Sequence, residues 1–148
     1  MREPTAGWFE GREHRLPVRV YYEDTDATGL VYHANYVRYL ERGRSDFLRM
    51  AGVSHTELRE REDPAAFVVT RIEVDYRRPA RLDDALVVRT TYDVVRGPRL
   101  SILQSITRGD EVLVEAVVEA ACITLEGRAR KPPAGLHEKL KPYLAPTP

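Results

Sequence analysis

The chain has 148 residues, the size of one ordinary domain that can bury a sizeable core. Hydrophobic residues make up 43% of the sequence and charged residues 31%, which is typical of globular rather than disordered proteins. Lysine and arginine together number 23, and aspartate and glutamate also number 23, so the formal net charge is zero. This balance argues against a dedicated nucleic-acid-binding protein, which normally carries a basic excess.

The cysteine content and the hydropathy exclude further classes of protein. The single cysteine, Cys122, excludes an internal disulfide framework and a cysteine-rich zinc site, and its apolar neighbours predict a buried thiol. The N-terminal segment has no apolar core of the signal-peptide kind, and no run approaches transmembrane length. We therefore expect a cytoplasmic protein without a membrane span.

The first predicted elements are an arm and a strand. Residues 1–14 are polar and unpatterned, which predicts a flexible arm ahead of a single folded domain over residues 15–145. Apolar and polar residues then alternate, which predicts a strand with one buried face. The residues of that face are Leu16, Val18, Val20 and Tyr22. The loop EDTDATGLVYH follows the strand.

A change of period after the loop predicts a long amphipathic helix. Its apolar positions are spaced by four, three, four and three residues: Tyr36, Leu40, Gly43, Phe47 and Met50. Gly43 costs about 1 kcal/mol of helix propensity against alanine, and we expect close packing against a sheet to be the compensation. Gly52 predicts the helix end, and Ser54 predicts the cap of a short second helix over residues 54–63.

Four β segments and a short helix complete the chain. The β segments cover residues 67–78, 85–95, 100–108 and 112–125, with turn sequences at 96–99 and 108–111. We predict an antiparallel meander of these strands, then a short helix in PPAGLHEKLKPYL and a loose tail from residue 145. The fold class is α+β, with an antiparallel sheet curled around one long helix. An edge of such a sheet can pair with a second copy.

The loop before the long helix crowds carboxylates: Glu23, Asp24 and Asp26 precede His33 by a few residues. One interpretation is a plain turn, since Asp, Thr and Gly are common turn residues. A metal site that adds Glu41 is a second interpretation, but its spacing matches no common ligand pattern, and we expect neither metal nor cofactor. The functional interpretation rests on position. Free N–H groups at a helix start stabilise an anionic oxygen, and a nearby aspartate supplies a nucleophile or general base.

The stretch YYEDTDATGLVYHANYVRYLERGR resembles the motif of the small 4-hydroxybenzoyl-CoA-type acyl-CoA thioesterases, most closely the branch associated with the Tol–Pal envelope system. The resemblance implies a hot-dog fold, in which a curled antiparallel sheet wraps around the long helix. It also implies a homodimer or homotetramer with the active site at the dimer interface, and hydrolysis of an acyl-CoA to a free acid and CoA. Thr28 stands where glycine is frequent in that branch.

The resemblance also assigns roles to single residues. The catalytic aspartate falls on Asp26, and the oxyanion donor is the backbone N–H of His33. The side chains of Tyr22 and His33 line the site. Asp26 either attacks the thioester carbonyl carbon or deprotonates a water, and the sequence leaves both open. The other motif positions contact the substrate or shape the helix start: Glu41, Asn35 and Tyr36.

Two arginine clusters are candidates for binding the CoA phosphates, although an ordinary charged surface explains each equally well. The first cluster comprises Arg77, Arg78 and Arg81. The second comprises Arg128, Arg130 and Lys131. A tunnel between helix and sheet would hold the acyl group, with Leu40, Phe47 and Phe67 as its boundaries.

Two other functions are open at this stage. One is a hot-dog dimer that docks acyl carrier protein with little turnover of its own. A pure scaffold would not need the carboxylate of Asp26 opposite a helix start, which favours catalysis. The other is a hot-dog hydratase, whose helix carries a histidine that this helix lacks. Acyl carrier protein is also a candidate partner of the thioesterase itself.

Overall fold

A computed structural model describes residues 3–144, with residues 94 and 95 described by their backbone alone. Six antiparallel strands form one sheet, and a long helix packs across it. The strands are β1 (Trp8–Glu10), β2 (Glu13–Arg19), β3 (Ala66–Tyr76), β4 (Ala85–Arg96), β5 (Arg99–Arg108) and β6 (Glu111–Ile123). The helices are α1 (His33–Met50), α2 (His55–Glu60) and α3 (Leu136–Leu140). Among residues 3–144, no helix is long and apolar enough to cross a membrane.

The strand order across the sheet is β1-β2-β4-β5-β6-β3. The predicted meander of four strands is therefore wrong for β3, which pairs with β6 and lies at the edge of the sheet instead of beside β4. The hairpins β4–β5 and β5–β6 are present as predicted. Alternation within β3 indicates which of its faces is buried, but it does not indicate which strand lies beside it.

Helix α1 contacts the concave face of the sheet most closely at Gly43. A Cβ atom built on Gly43 would lie 2.6 Å from Val88 Cγ1 and 3.0 Å from Thr90 Oγ1, both in β4. The side chain of Gln104 in β5 donates a hydrogen bond to the Leu40 carbonyl oxygen at 2.9 Å. The expected close packing at Gly43 is confirmed, because a larger residue would overlap with the sheet.

The end of α1 and the start of α2 follow the predicted chemistry. Gly52 adopts a φ of +95°, and its N–H donates to the Arg49 carbonyl oxygen at 3.1 Å. The Val53 N–H donates to the Leu48 carbonyl oxygen at 2.7 Å, so these two bonds form a Schellman motif. The Ser54 hydroxyl caps α2 and accepts the Glu57 N–H at 3.3 Å.

The predicted N-terminal arm is wrong for most of its length. Strands β1 and β2 form a hairpin that adds to the sheet beside β4, and Gly11 at the turn has a φ of +61°. The Phe9 ring stacks on Tyr143 with centroids 4.0 Å apart. A three-residue strand is too short to show an alternating pattern. Residues 1–2 of the predicted arm and the predicted tail from residue 145 lie outside the described residues.

A buried polar cluster joins the N-terminal hairpin to α1. Asp46 Oδ2 lies 2.7 Å from His14 Nε2 and accepts the Gly7 N–H at 2.8 Å, while Arg49 Nη1 lies 3.3 Å from Asp46 Oδ1. His14 is 0% exposed, and its Nδ1 has no partner within the described part of the chain. A protonated ring would leave that second N–H without an acceptor. Burial accordingly lowers the pKa of His14, against the opposing effect of Asp46.

The alternation predicted for the first strand holds as far as Val20. Leu16, Val18 and Val20 are buried, but Tyr22 is 83% exposed, so its predicted place on the buried face is wrong. The chain leaves the sheet after Val20, and Tyr22–Asp24 form a 3₁₀ turn. The prediction of a buried thiol at Cys122 is confirmed.

Candidate active site

The loop between β2 and α1 is held in place by backbone hydrogen bonds on both sides. The Asp24 carbonyl oxygen accepts the Tyr32 N–H at 2.9 Å and the Asn35 side-chain amide at 2.8 Å. The Val31 N–H donates to the Ala80 carbonyl oxygen at 2.9 Å. These bonds fix the loop to the first turn of α1 and to the segment between β3 and β4.

Asp26 lies at the first position of a tight turn within this loop. Its carbonyl oxygen accepts the Gly29 N–H at 3.1 Å, and Gly29 takes the φ of +80° that the turn requires. The Asp26 Oδ1 atom accepts both the Thr28 N–H at 2.8 Å and the Thr28 hydroxyl at 2.5 Å. These bonds from Thr28 lower the pKa of Asp26, so the exposed carboxylate is ionised at neutral pH.

Helix α1 begins at His33 without a side-chain cap, because Tyr32 at the capping position accepts no side-chain hydrogen bond. The N–H of a first helical residue has no intrahelical partner, and that of His33 donates to no other group among residues 3–144. The Tyr76 hydroxyl donates to the His33 carbonyl oxygen at 3.1 Å, which ties this first turn to β3. The His33 N–H is therefore a free donor among these residues, and it lies at the positive end of the α1 dipole.

Asp26 lies in the turn ahead of α1, and His33 begins that helix seven positions later. His33 is close enough for its charge to contribute to the lowered pKa of Asp26, after the larger contribution of Thr28. An ionised carboxylate in this turn provides a nucleophile or base, and a free N–H at the start of the following helix provides a donor for a developing oxyanion. Such a pair is suited to acyl transfer.

Comparisons with known proteins agree with this chemistry. Residues 20–140 match the model of the thioesterase-like superfamily. The chain belongs to the thioesterase-like superfamily. It is 44% identical over 110 residues to the acyl-CoA thioesterase YbgC of Haemophilus influenzae, covering 74% of this chain and 80% of that protein. It is 46% identical over 110 residues to the acyl-CoA thioester hydrolase YbgC of Escherichia coli O6:H1, covering 74% and 81%.

A solved structure extends the likeness to the fold. A Bartonella henselae protein superposes with a TM-score of 0.79 at 41% identity, over 82% of this chain and 99% of that one. The predicted family and its hot-dog fold are therefore confirmed.

Glu41, the acidic residue predicted to lie in the site, is distant along α1 from the loop that carries Asp26. Glu41 is eight positions after His33, or about 12 Å along the axis of α1. The Ser45 hydroxyl donates to Glu41 Oε1 at 2.5 Å and lies 3.2 Å from His55 Nε2. This contact could not be predicted from the sequence, because Ser45 and His55 belong to different helices and no motif links them.

The three polar residues of that cluster line one side of a cavity of about 120 Å³. Burial lowers the pKa of His55, against the opposing effect of Glu41. Phe67, predicted as a tunnel boundary, also lines the cavity. Leu40 and Phe47, the other two predicted boundaries, are 0% exposed and belong to the core around α1.

Asn35 and Tyr36 are both buried and both support the loop. The Asn35 side chain donates to the Asp24 carbonyl oxygen. The Tyr36 hydroxyl oxygen accepts the Ala80 N–H at 2.9 Å, and burial raises the pKa of that hydroxyl. Asn35 thus joins the loop to the first turn of α1, and Tyr36 joins α1 to the segment between β3 and β4, while the roles predicted for both residues stay predictions.

The predicted phosphate-binding arginines lie close to carboxylates. Arg77 Nη2 is 2.6 Å from Glu115 Oε2, and Arg78 Nη1 is 3.1 Å from Glu111 Oε2. Arg81 pairs through its backbone with Leu30, which brings it to the loop between β2 and α1. In the second predicted cluster, the Arg130 side chain contacts the Asp63 carboxylate and three backbone carbonyl oxygens, those of Asp63, Pro64 and Lys131.

Proposed function

We propose that this protein hydrolyses an acyl-CoA thioester to a free acid and CoA, with Asp26 as nucleophile or general base and the His33 N–H as oxyanion donor. The observation that carries the proposal is the ionised Asp26 carboxylate in the turn ahead of α1, whose first N–H has no partner among residues 3–144. The relatives named acyl-CoA thioesterase support the same reaction class. Thioester hydrolysis is the function that both the family and the site indicate.

The geometry supports a short reaction sequence. The thioester carbonyl oxygen receives the His33 N–H, which polarises the bond and stabilises the tetrahedral oxyanion. Asp26 attacks the carbonyl carbon to give a mixed anhydride that water then hydrolyses, or it takes a proton from the water that attacks. The departing thiolate has a conjugate acid with a pKa of about 8.5, so it leaves without a strong general acid.

The other predicted site residues take supporting roles in this proposal. Tyr22 is exposed beside the loop and can orient water, as can the His33 side chain. Glu41 contacts the distal part of the acyl group from the cavity shared with Ser45 and His55. Asn35 contributes by holding the loop that carries the site.

Strand β3 supports the proposed assembly. It lies at the edge of the sheet, and Val68 and Val69 in it are 41% and 43% exposed. Pairing of β3 with a second copy would remove this edge and cover the two valines. We propose a homodimer at minimum, and a homotetramer as the full assembly. The Tol–Pal-associated branch, a cytoplasmic location and acyl carrier protein as a partner belong to the same proposal.

The proposal is tested by measuring thiol release from a panel of acyl-CoAs that ranges from short to long chains and includes an aromatic acyl group. Asp26→Asn should lower kcat/KM by about 10²–10⁴ while the fold and the assembly are retained. Asp110→Asn is the matched control, because Asp110 is exposed in the β5–β6 turn. Equal rates for the native protein and Asp26→Asn would refute the assigned role.

A single turnover in water labelled with heavy oxygen separates the two roles left open for Asp26. Label that enters the Asp26 carboxylate identifies nucleophilic attack and a mixed anhydride. Label found only in the released acid is the outcome for a general base and also for an anhydride whose acyl carbon is attacked by water. The peptide is therefore also examined after rapid quenching, where an acyl adduct on Asp26 identifies a nucleophile and its absence identifies a general base. Mass spectrometry of the peptide that contains Asp26 distinguishes these results.

A further inference from the structure

Thr28 holds the carboxylate of Asp26 through two separate donors. Its backbone N–H and its hydroxyl both donate to Asp26 Oδ1, at 2.8 and 2.5 Å. The hydroxyl oxygen also accepts the Leu30 N–H at 3.3 Å. The Thr28 side chain therefore links the carboxylate to the far side of the turn.

The two oxygens of the Asp26 carboxylate are consequently not equivalent. Every hydrogen bond that another residue within 3–144 makes to this carboxylate goes to Oδ1. The lone pairs of Oδ2 are left for the thioester carbon or for a water molecule. A hydrogen bond to an ionised acceptor is roughly twice as strong as one between neutral groups, so the hydroxyl restrains rotation of the side chain.

The turn itself does not require threonine. The bonds from the N–H groups of Thr28 and Gly29 to Asp26 are made by the backbone, so they are available to other residue types. Thr28 also lies outside the left-handed region of φ, so its backbone conformation suits any side chain. What the threonine adds is the hydroxyl and its short bond to Oδ1.

We propose that Thr28 is a positioning residue, whose hydroxyl fixes the carboxylate of Asp26 through Oδ1 and leaves Oδ2 as the reacting oxygen. This inference rests on the proposed catalytic role of Asp26. The same bond stabilises the ionised form and contributes to the lowered pKa of Asp26. Loss of the hydroxyl should therefore loosen the carboxylate and also make it easier to protonate.

The test compares Thr28→Val with Thr28→Ser. Valine keeps the branched shape and the backbone N–H but lacks the hydroxyl, whereas serine keeps the hydroxyl. We expect Thr28→Val to move the acidic limb of the kcat/KM profile to higher pH, because that limb reports the pKa of the free enzyme's essential carboxylate. We expect its plateau to fall about tenfold, as for a reacting group that is no longer well oriented. Thr28→Ser should restore both.

Asp26→Asn and a direct titration separate this inference from the proposed function. If Asp26→Asn is inactive while both Thr28 variants keep the native profile, the positioning role is overturned and the role of Asp26 stands. If Asp26→Asn is fully active, the proposed function fails. In a separate experiment, carbon NMR measures the pKa of the Asp26 carboxyl group in the native protein and in Thr28→Val. An unchanged pKa also overturns the inference, whereas a raised pKa supports the hydrogen bond from the Thr28 hydroxyl.

Discussion

Replacing Asp46 by alanine removes the acceptor that joins the N-terminal hairpin to α1. Asp46 is 4% exposed, and its Oδ2 receives the Gly7 N–H and contacts His14 Nε2. In Asp46→Ala the Gly7 N–H and the His14 ring are both buried without that acceptor. A change of tautomer would not help His14, because its Nδ1 also has no partner among the described residues.

The expected loss follows from those two contacts. A buried donor without an acceptor costs about 1–3 kcal/mol, so two of them cost about 2–6 kcal/mol. The contact with His14 is a hydrogen bond and not an ion pair at neutral pH, because burial lowers the pKa of His14 and leaves its ring uncharged. Hydrogen bonds to a charged group contribute about 1.5–3 kcal/mol each, which favours the upper part of that range. We therefore expect Asp46→Ala to lower the free energy of unfolding by about 3–5 kcal/mol. This is a large fraction of the stability of a typical domain.

The assay is urea unfolding at matched protein concentration, because any assembly makes the apparent stability depend on concentration. The control is Asp93→Ala. The Asp93 side chain is 43% exposed, and its Oδ1 lies 3.9 Å from Arg12 Nη2, so we expect a change within about 0.5 kcal/mol. A loss below about 1 kcal/mol in Asp46→Ala, at an unchanged denaturant slope, would refute the reasoning.

Three further predictions concern packing, pH and substrate binding. Gly43→Ala should destabilise by about 1 kcal/mol, since overlap with the Val88 methyl group outweighs the gain in helix propensity; a net gain in urea unfolding would contradict this. The lowered pKa of His14 makes stability fall as pH drops below about 6.5, because the unfolded state binds the extra proton; His14→Gln should flatten that slope. The double variant Arg77→Gln, Arg78→Gln should raise KM about fivefold for acyl-CoA but not for acyl-pantetheine, and an equal effect on both substrates would exclude phosphate binding.

The sequence predicted the elements that are long enough to show a hydrophobic period over several apolar positions. The spacing from Tyr36 to Phe47 located α1, and the glycine on its apolar face indicated the close contact at Gly43. It also indicated that Asp26 lies in the loop ahead of α1 and that His33 lies at the start of the helix, because the motif is contiguous. Contacts within one short segment depend mainly on local geometry, and local geometry follows from residue type.

Pairings between distant segments could not be predicted in the same way. The place of β3 beside β6 depends on how the chain crosses the sheet after α1, which no alternation records. The bond between His14 and Asp46 joins positions that lie 32 residues apart and belong to no common motif. Tyr22 continues the alternation in the sequence, but the hydrogen bonds of Val20 with Asp83 and Asp84 end the strand first.

The stacking of Phe9 on Tyr143 has a consequence for synthesis on the ribosome. The nearby bond from Arg12 to the Tyr143 carbonyl oxygen joins residues 131 positions apart. At about 5–20 residues per second, the N-terminal hairpin waits on the order of 10 s for the segment that covers it. During that interval the face of the Phe9 ring that stacks on Tyr143 in the folded protein is uncovered. Strand β1 is thus secured only after a segment more than a hundred residues later has been made, and until then that ring face offers apolar surface to a nascent-chain chaperone.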